Sequence, residues 1–435
     1  MSSKQQTSDV MEENKQALLP KLRFPEFREA EGWKFLPLNR LAIRAKQKNR
    51  DEQIDRVLTN SAEFGVVDQR DFFDKDIATQ GKLEGYVVVE RDSYVYNPRI
   101  SSTAPVGPIS KNKIGTGVMS PLYTVFKFKD ERNDFYEYFF KTTGWHTYMR
   151  QASSTGARHD RMAISNEDFM AMPLPVSSPA EQQKIADCLN SLDGLIAAQG
   201  RKVAALKTHK KGLMQQLFPC KGEAKPRLRF PEFQNTGEWQ TLPLAALADK
   251  IMVGIASAAT HAYRESGVPM LRNQNIKEGK IDDSSLLFID PVYEAAHKNK
   301  RLRAGDVITV RTGYPGLSAV VPDRYNNAQC FTSLITRPKK SVLDADFLCA
   351  LINSEIGKRF ILGAEAGGAQ KNVNAGSLEA LPVYHPEIPE QQRIATCLSS
   401  LDELITAQTQ KLEALKTHKN GLMQQLFPTT EVVEA

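Results

Sequence analysis

The chain contains no run near the roughly 18 consecutive apolar residues that a membrane helix needs. Its first residues, MSSKQQTSDVMEENKQ, are polar and hold no secretory apolar core. Cysteine is scarce. The five present (Cys188, Cys220, Cys330, Cys349 and Cys397) form no CxxC or metal-ligand spacing, and their odd number reads as reduced thiols in a cytoplasmic protein. The seven histidines are scattered, with no HxxxH or HExxH pair to hold a metal. No GxxxxGK[ST] phosphate loop occurs. These absences point away from a membrane protein, a disulfide-stapled secreted domain, a zinc enzyme and a nucleotide hydrolase.

What remains is an ordinary globular composition, with 435 residues, 25% charged and 41% hydrophobic, enough for two or three domains. A net charge of +6 favours a polyanionic partner only slightly. The dominant feature is a repeat. Residues 181–219 and 390–428 are identical at 29 of 39 positions with a constant offset of 209. In the first copy Ile185, Leu189, Leu192, Ile196, Gln199, Val203, Leu206, Lys210, Leu213 and Leu217 step alternately by four and three. In the second the same seam runs through Ile394, Leu398, Leu401, Ile405, Gln408, Leu412, Leu415, Lys419, Leu422 and Leu426. A sustained 3.5-residue period is a coiled-coil seam, and the obvious partner for each copy is the other. Two separate amphipathic helices, each lying on its own domain, are the alternative. The polar seam residues recur in both copies, as register-fixing positions do. Ser178, Pro179 and Glu181 make a capping-box start, and Pro219 and Pro428 stop the two helices.

A second pair of repeats precedes each helix. PKLRFPEF (20–27) with GWKFLPL (32–38) returns as PRLRFPEF (226–233) with GEWQTLPL (237–244), at an offset of 206 for most of its length. The repeating unit is therefore half the chain: lead-in motif, globular domain, long helix. The expected organisation is a tail (1–19), a first domain (20–176), a first helix (177–219), a second domain (220–386, with a linker at 220–226), a second helix (387–428) and a tail (429–435). Between the markers the halves diverge. GYVVVERDSYVYNPR (85–99) and LYTVFKF (122–128) read as strands, and 135–151 as a helix interrupted near Gly144. In the second half 268–281, 301–316 and 318–322 give strand-and-turn signals, and 344–363 reads as one helix.

No catalytic constellation emerges. Tyr96-Asn97-Pro98-Arg99 lacks the second proline and the aromatic of the Asn-Pro-Pro-aromatic motif of amino-methyltransferases, and the GYPG turn at 313–316 reads as a β-turn. An autonomous methyltransferase is disfavoured. Residues suited to nucleic acid are present instead. Lys46, Lys48 and Arg50 belong to a basic cluster fit for phosphates, with Asp51 and Glu52 beside it allowing a plain solvated surface. Both domains also carry a small polar loop before their last segment. The first holds Arg150, Gln151, Arg158, His159 and Arg161, and the second holds Gln370, Lys371 and Asn372. Arg272, Asn273, Arg311 and Tyr314 join these candidates from the strand-and-turn segments. Arg, Asn and Gln are the side chains that read base edges bidentately.

The two EQQ(K/R)IA…LD…KTHK(K/N)GLMQQLF helices resemble the specificity subunit of Type I restriction-modification enzymes. So do the two LRFPEF…W…LPL lead-ins, GVMSPLYTVFKF (117–128), GVPMLRNQNIKEGKI and LRAGDVITVRTGYPG. The resemblance implies an α+β fold: two pseudo-repeated mixed α/β target-recognition domains separated by two long antiparallel coiled-coil helices, with pseudo-two-fold symmetry. It further implies that each domain reads one half of a bipartite double-stranded DNA target, that the helices set the spacer, and that two methyltransferase subunits dock on them. Restriction subunits would complete the complex. S-adenosylmethionine, ATP and Mg would sit on those partners, with no cofactor, metal or catalytic residue in this chain and no membrane association. The alternative function is a coiled-coil adaptor with two protein-binding domains and no DNA contact.

Overall fold

The computed structural model describes residues 18–72, 83–153, 160–219, 222–223, 225–257, 259–363 and 373–428. The chain divides into two compact units, residues 1–199 with 411–435, and residues 200–410. The division falls inside both repeated helices, Pro179–Leu217 and Ile388–Leu426, each 39 residues long. Each unit therefore holds a globular domain, the opening of the helix that leaves it, and the closing turns of the other helix.

In the first unit Ile185 and Leu189 from the start of the first helix share a core with Met423, Leu426 and Phe427 from the end of the second. In the second unit Met214, Leu217 and Phe218 end the first helix in a core that also receives Ile394, Ala395 and Leu398 from the start of the second. Start meets end in both units, so the helices run antiparallel. The antiparallel order expected from the resemblance is borne out.

The lead-in motifs fasten each helix. RFPEF folds into a short 3-10 turn at Pro25–Phe27 and again at Pro231–Phe233, with proline opening the turn where its missing N–H is harmless. Arg23 donates to the two Glu181 oxygens at 2.7 and 2.8 Å and to the Ala30 and Glu31 carbonyls at 2.8 and 2.9 Å. Arg229 repeats this on Glu390 at 2.8 and 2.7 Å and on the Thr236 and Gly237 carbonyls at 3.0 Å. Both carboxylates lie in the first turn of a long helix, where the exposed N–H groups favour negative charge. Glu181 is 1% exposed and Glu390 3%, so a planar bidentate fork is the geometry that can hold them. The expected capping box is only half made. Ser178 Oγ accepts the Glu181 N–H at 3.3 Å, but the Glu181 carboxylate turns to Arg23.

The two domains share topology that their sequences hide. A four-stranded antiparallel sheet runs Ala42–Arg44, Thr124–Phe128, Tyr94–Tyr96, Ile109–Lys111 in the first unit. In the second the order is Ala248–Val253, Leu334–Pro338, Val307–Thr309, Ser318–Val320, the same places in chain order. Each domain closes with a two-stranded antiparallel ribbon that joins the LPL segment to the strand before the long helix. Pro37 lies opposite Pro173, and Pro243 opposite Pro382. Prolines are tolerated there because each ribbon has only two strands and its outer edges need no ladder bonds.

Both domains follow the sheet with two short helices: Asp134–Phe139 and His146–Ala152 in the first, Ala345–Asn353 and Glu355–Gly363 in the second. The interruption near Gly144 agrees with the sequence reading. The single helix over 344–363 does not form. Ser354 is extended (φ −71, ψ 166), and its hydroxyl donates to the Leu351 carbonyl at 2.6 Å. Gly357 keeps the break tight, since a Cβ there would stand 2.3 Å from the Ile352 carbonyl oxygen.

Candidate nucleic-acid interface

In the first unit the strands Tyr94–Tyr96 and Ile109–Lys111 are joined by a loop over 97–108. Asn60 holds its base by donating to the Val95 and Pro108 carbonyls at 2.8 and 3.1 Å, and Asn97 returns a bond to the Asn60 carbonyl at 2.9 Å. Gly107 (φ +80) must be glycine, because a Cβ would fall 2.1 Å from the Asn97 carbonyl oxygen. The loop is paired on its outer side. Met162 N–H donates to the Pro98 carbonyl at 2.9 Å, Ile100 N–H donates to the Asp160 carbonyl at 3.1 Å, and Arg99 forms a β-bridge with Arg161.

Two arginines thus meet at this end of the sheet. Arg99 is exposed, and half-buried Arg161 pairs with Asp160 at 3.2 Å. The Arg161 hydrogen bond holds the Asp160 carboxyl below its ordinary range. Arg150 and Gln151 are exposed on the helix His146–Ala152. Arg158 and His159 lie outside the described residues. Lys46, Lys48 and Arg50 are exposed on the segment that continues the edge strand Ala42–Arg44, where Lys48 bridges to Val87. That strand runs parallel to Tyr94–Tyr96 across their shared neighbour, with Arg44 and Tyr94 both opposite Phe126. Lys46 and Lys48 therefore continue toward the same end as the 97–108 loop.

The second unit builds the equivalent end differently. Its hairpin between Val307–Thr309 and Ser318–Val320 is short, with Gly313 (φ +87) and Gly316 (φ +92) turning it. Asn273 donates to the Thr312 hydroxyl and carbonyl at 3.0 and 3.4 Å and accepts from the Ser333 hydroxyl at 2.8 Å, so both ends of its amide brace the turn. Half-buried Arg272 donates to the Ser285 carbonyl at 2.9 Å. The Arg311 carbonyl accepts the Val373 N–H at 3.0 Å, the counterpart of the Met162–Pro98 bond. Gln370, Lys371 and Asn372 lie outside the described residues. Tyr314, at the crest, is 79% exposed.

The sequence reading missed Arg99, although the Asn-Pro-Arg triplet ending a strand was in view. Its partner segment is sixty residues away, and nothing local announces the pairing. It also missed the hairpin of Leu58–Ser61 with Gly65–Asp68, whose turn carries Phe64 at 60% exposure. Asn60 pins that hairpin to the base of the 97–108 loop.

Along the helices, all twenty seam positions are buried or half-buried. Lys210 donates to both Asp402 oxygens at 2.7 and 2.8 Å within the second unit. Lys419 donates to Asp193 at 2.5 Å within the first, 5.0 Å from the Tyr138 ring centre. Burial alone would raise the Asp193 pKa. Hydrogen bonds from Lys419 and Tyr138 outweigh it and hold the carboxyl below the ordinary range. Both polar seam lysines thus reach an aspartate of the opposite helix.

Burial pushes the Cys330 and Cys349 thiols up to about 12, leaving them inert. Among the described residues no cluster of His, Cys, Asp and Glu is arranged to hold a metal, and no helix is long and apolar enough to cross a membrane.

Two pseudo-equivalent α+β units on a pair of long antiparallel helices define the class. The family model of the Type I restriction modification DNA specificity domain matches residues 237–417. The Type I restriction enzyme MjaVIII specificity subunit of Methanocaldococcus jannaschii is 26% identical over 289 residues, which is 64% of this chain and 65% of that relative. The chain thus spans slightly under two thirds of that curated relative. The S subunit of a Type I restriction-modification system from M. genitalium has the same fold, at 13% identity and TM-score 0.55, over 95% of this chain and 100% of that one. A chain from a structure describing complex assembly and conformational transition of the type I R-M system matches at 15% identity and TM-score 0.55, over 91% and 98%. The chain is thus similar to the Type I specificity subunits, by sequence over residues 237–417 and by fold over most of its length, as its repeated motifs indicated.

Proposed function

We propose that this chain reads double-stranded DNA for a Type I restriction-modification complex, each unit recognising one half of a bipartite target. The observation that carries the reading is the duplicated recognition end. Two domains with unrelated core sequences bring a hairpin loop and a second polar segment together at the same end of the same sheet. The repeated frame is kept and its tips differ, as two targets read by one device require. Arg99, Arg150, Gln151 and Arg161 serve the first half-site, with Lys46, Lys48 and Arg50 on phosphates. Arg311 and Tyr314 serve the second.

The helices would set the spacing. At about 1.5 Å per residue, 39 residues extend roughly 58 Å. Domains fixed to stiff rods cannot slide independently, so half-site separation follows from the protein. Two methyltransferase subunits would dock on the duplicated frame and supply S-adenosylmethionine and the adenine chemistry. Restriction subunits would add ATP- and Mg-dependent steps, and this chain would act in the cytoplasm without catalysing.

The test is to map methylated adenines in host DNA with and without this chain, then measure binding of the purified complex to the mapped duplex. The expected result is a motif of two short sequences at fixed separation that disappears with the chain. An unchanged methylation pattern, together with binding indifferent to sequence, would defeat the proposal.

A further inference from the structure

The interhelical lysine bridge is finished differently in the two units. In the first, the Tyr138 hydroxyl lies 2.7 Å from Asn190 Oδ1 and 2.8 Å from Asp193 Oδ2, both acceptors. Its ring is 1% exposed and has the Lys419 ammonium 5.0 Å from its centre. Lys419 takes the other Asp193 oxygen. One aspartate is thus shared between an ammonium and a phenol.

The second unit keeps the acceptor and the lysine but places no tyrosine between them. Phe135 rests on Phe427, and Phe347 rests on Phe218, the copy of Phe427 at the repeat offset of 209. Three residues further along the same helix, the place of Tyr138 falls to Ala350. Asn190 and Asp193 correspond by the same offset to Ser399 and Asp402. Ala350, Ser399, Asp402, Lys210 and Met214 line one recess of about 70 Å³, with room for several waters. Around it the polar groups have turned to other partners. Lys210 donates to both Asp402 oxygens, at 2.7 and 2.8 Å, and the Ser399 hydroxyl donates to the Thr396 carbonyl of its own helix at 3.1 Å. The recess meets an open groove of about 410 Å³, which also reaches Lys210, Met214 and Asp402. It is therefore approachable from the surface.

We infer that this recess is the docking site for one tyrosine side chain of a partner subunit, whose phenol takes the place that Tyr138 takes in the first unit. The inference rests on the docking of methyltransferase subunits proposed above. The inserted hydroxyl would donate to Asp402 in a charge-assisted bond, releasing Lys210 from one of the two oxygens. The ring would lie beside the Met214 thioether and the Lys210 ammonium, both favourable neighbours for an aromatic face or edge. Tyrosine is also among the residues on which interface energy concentrates. Because the first unit fills its own site, two copies of one partner would meet unequal surfaces, and the second unit would hold its copy more tightly.

The experiment follows the methionine methyl groups of the full chain by NMR, with p-cresol as the tyrosine mimic and toluene as its counterpart without the hydroxyl. p-Cresol should shift the Met214 methyl and leave its copy Met423 in place, and toluene should shift neither. Ala350→Tyr should abolish the Met214 response. Tyr138→Ala should confer the same response on Met423, so the outcome does not hang on one variant folding. In the purified complex the Met214 methyl should already be shifted and p-cresol should add nothing. There Ala350→Tyr should weaken one methyltransferase subunit on the order of 10-fold and spare the other. A Met214 methyl indifferent to p-cresol, or equally responsive to toluene, would overturn the inference. So would a complex that forms with Met214 unshifted and still open to p-cresol. Methyltransferase subunits that do not bind the wild-type chain at all would overturn the docking reading, and this inference with it.

Discussion

The same four strands carry opposite kinds of core in the two units. In the first, Tyr94 and Phe126 lie opposite one another and stack at 5.6 Å, Tyr96 stacks on Phe169 at 4.8 Å, and Phe128 on Tyr136 at 4.5 Å. In the second, the places of Tyr94, Tyr96 and Phe126 fall by strand register to Val307, Thr309 and Thr336. There the centre is a hydrogen-bonded knot. Thr309 and Ser318 share a 2.8 Å bond, and Asn353 accepts from the Ser318 N–H at 3.0 Å while donating to its carbonyl at 2.9 Å. Burying Thr309, Ser318 and Asn353 is tolerable because each has a partner. What stays constant is the rim against the helices. Trp33 packs on Phe135, which meets Phe427, in one unit, and Trp239 packs on Phe347, which meets Phe218, in the other. Topology and helix docking are held by few residues, which leaves the rest of each domain free to differ.

The largest effect should come from breaking that rim. Phe218 and Phe427 are 1% and 3% exposed, and truncating a buried phenylalanine costs about 3–5 kcal/mol. Phe427→Ala should unprotect backbone amides of the first unit, and Phe218→Ala those of the second, in hydrogen exchange followed by mass spectrometry. Equal loss in both units from either variant would show that the two cores are not separately seated.

The two cores should also fail differently. Asn353→Ala leaves the Ser318 backbone N–H buried without its partner, a loss of about 1–3 kcal/mol. Tyr96→Phe removes one hydroxyl bond to the Val106 carbonyl but keeps the stacked ring, for about 1 kcal/mol. Chemical denaturation of the two variants ranks them. The reverse ranking would mean that the aromatic core depends on its polar handles more than the polar core does.

Legibility followed the repeats. The repeats, their alternating spacing, the lead-in motifs and the break near Gly144 were readable, because periodicity and duplication are local signals. The break at Ser354 was not, since 344–363 keeps helical spacing across it and only the extended Ser354 and tight Gly357 betray it. Nor was the shared sheet order, because Tyr94, Phe126 and their counterparts Val307 and Thr336 have no chemistry in common. At the sheet ends proposed to face DNA, composition pointed to Arg150, Arg161, Arg311 and Tyr314. The placement of Arg99 depends on long-range pairing with 160–162, and that of the Leu58–Ser61 hairpin on Asn60, which no window of sequence contains.

A smaller effect separates the two interhelical lysine bridges by pH. The Asp193 pKa is depressed from its ordinary 3.8. A depressed carboxylate stabilises the fold above its unfolded value, and that contribution disappears as pH falls through the folded value. Wild type should therefore exceed Asp193→Asn in thermal stability near neutrality, with the gap closing below about pH 4. A gap that persisted into acid would mean that Asp193 matters for packing rather than for its charge.

The smallest effect is expected from exchanging one helix end for the other. Residues 411–428 differ from 202–219 at only three places, so Leu412→Val, Glu413→Ala and Asn420→Lys together turn the end of the second helix into a copy of the first. Glu413 is exposed and pairs with Lys416, an exposed i,i+3 pair that contributes little. Asn420 is exposed and outside the apolar seam, and Leu412 is a half-buried seam residue, where losing one methylene costs about 0.5–1.5 kcal/mol. Everything that seats the end in the first unit is unchanged: Lys419 on Asp193, Leu426 and Phe427 in the aromatic core, and the Gln425 carbonyl that accepts the Leu22 N–H at 2.9 Å. The second unit uses the same device, with Gln216 accepting from Leu228 at 3.0 Å. The triple variant should therefore melt within a few degrees of wild type and keep both half-sites. A loss above about 3 kcal/mol would mean that each unit, despite the shared Trp and Phe anchors, has come to recognise only its own copy of the helix end.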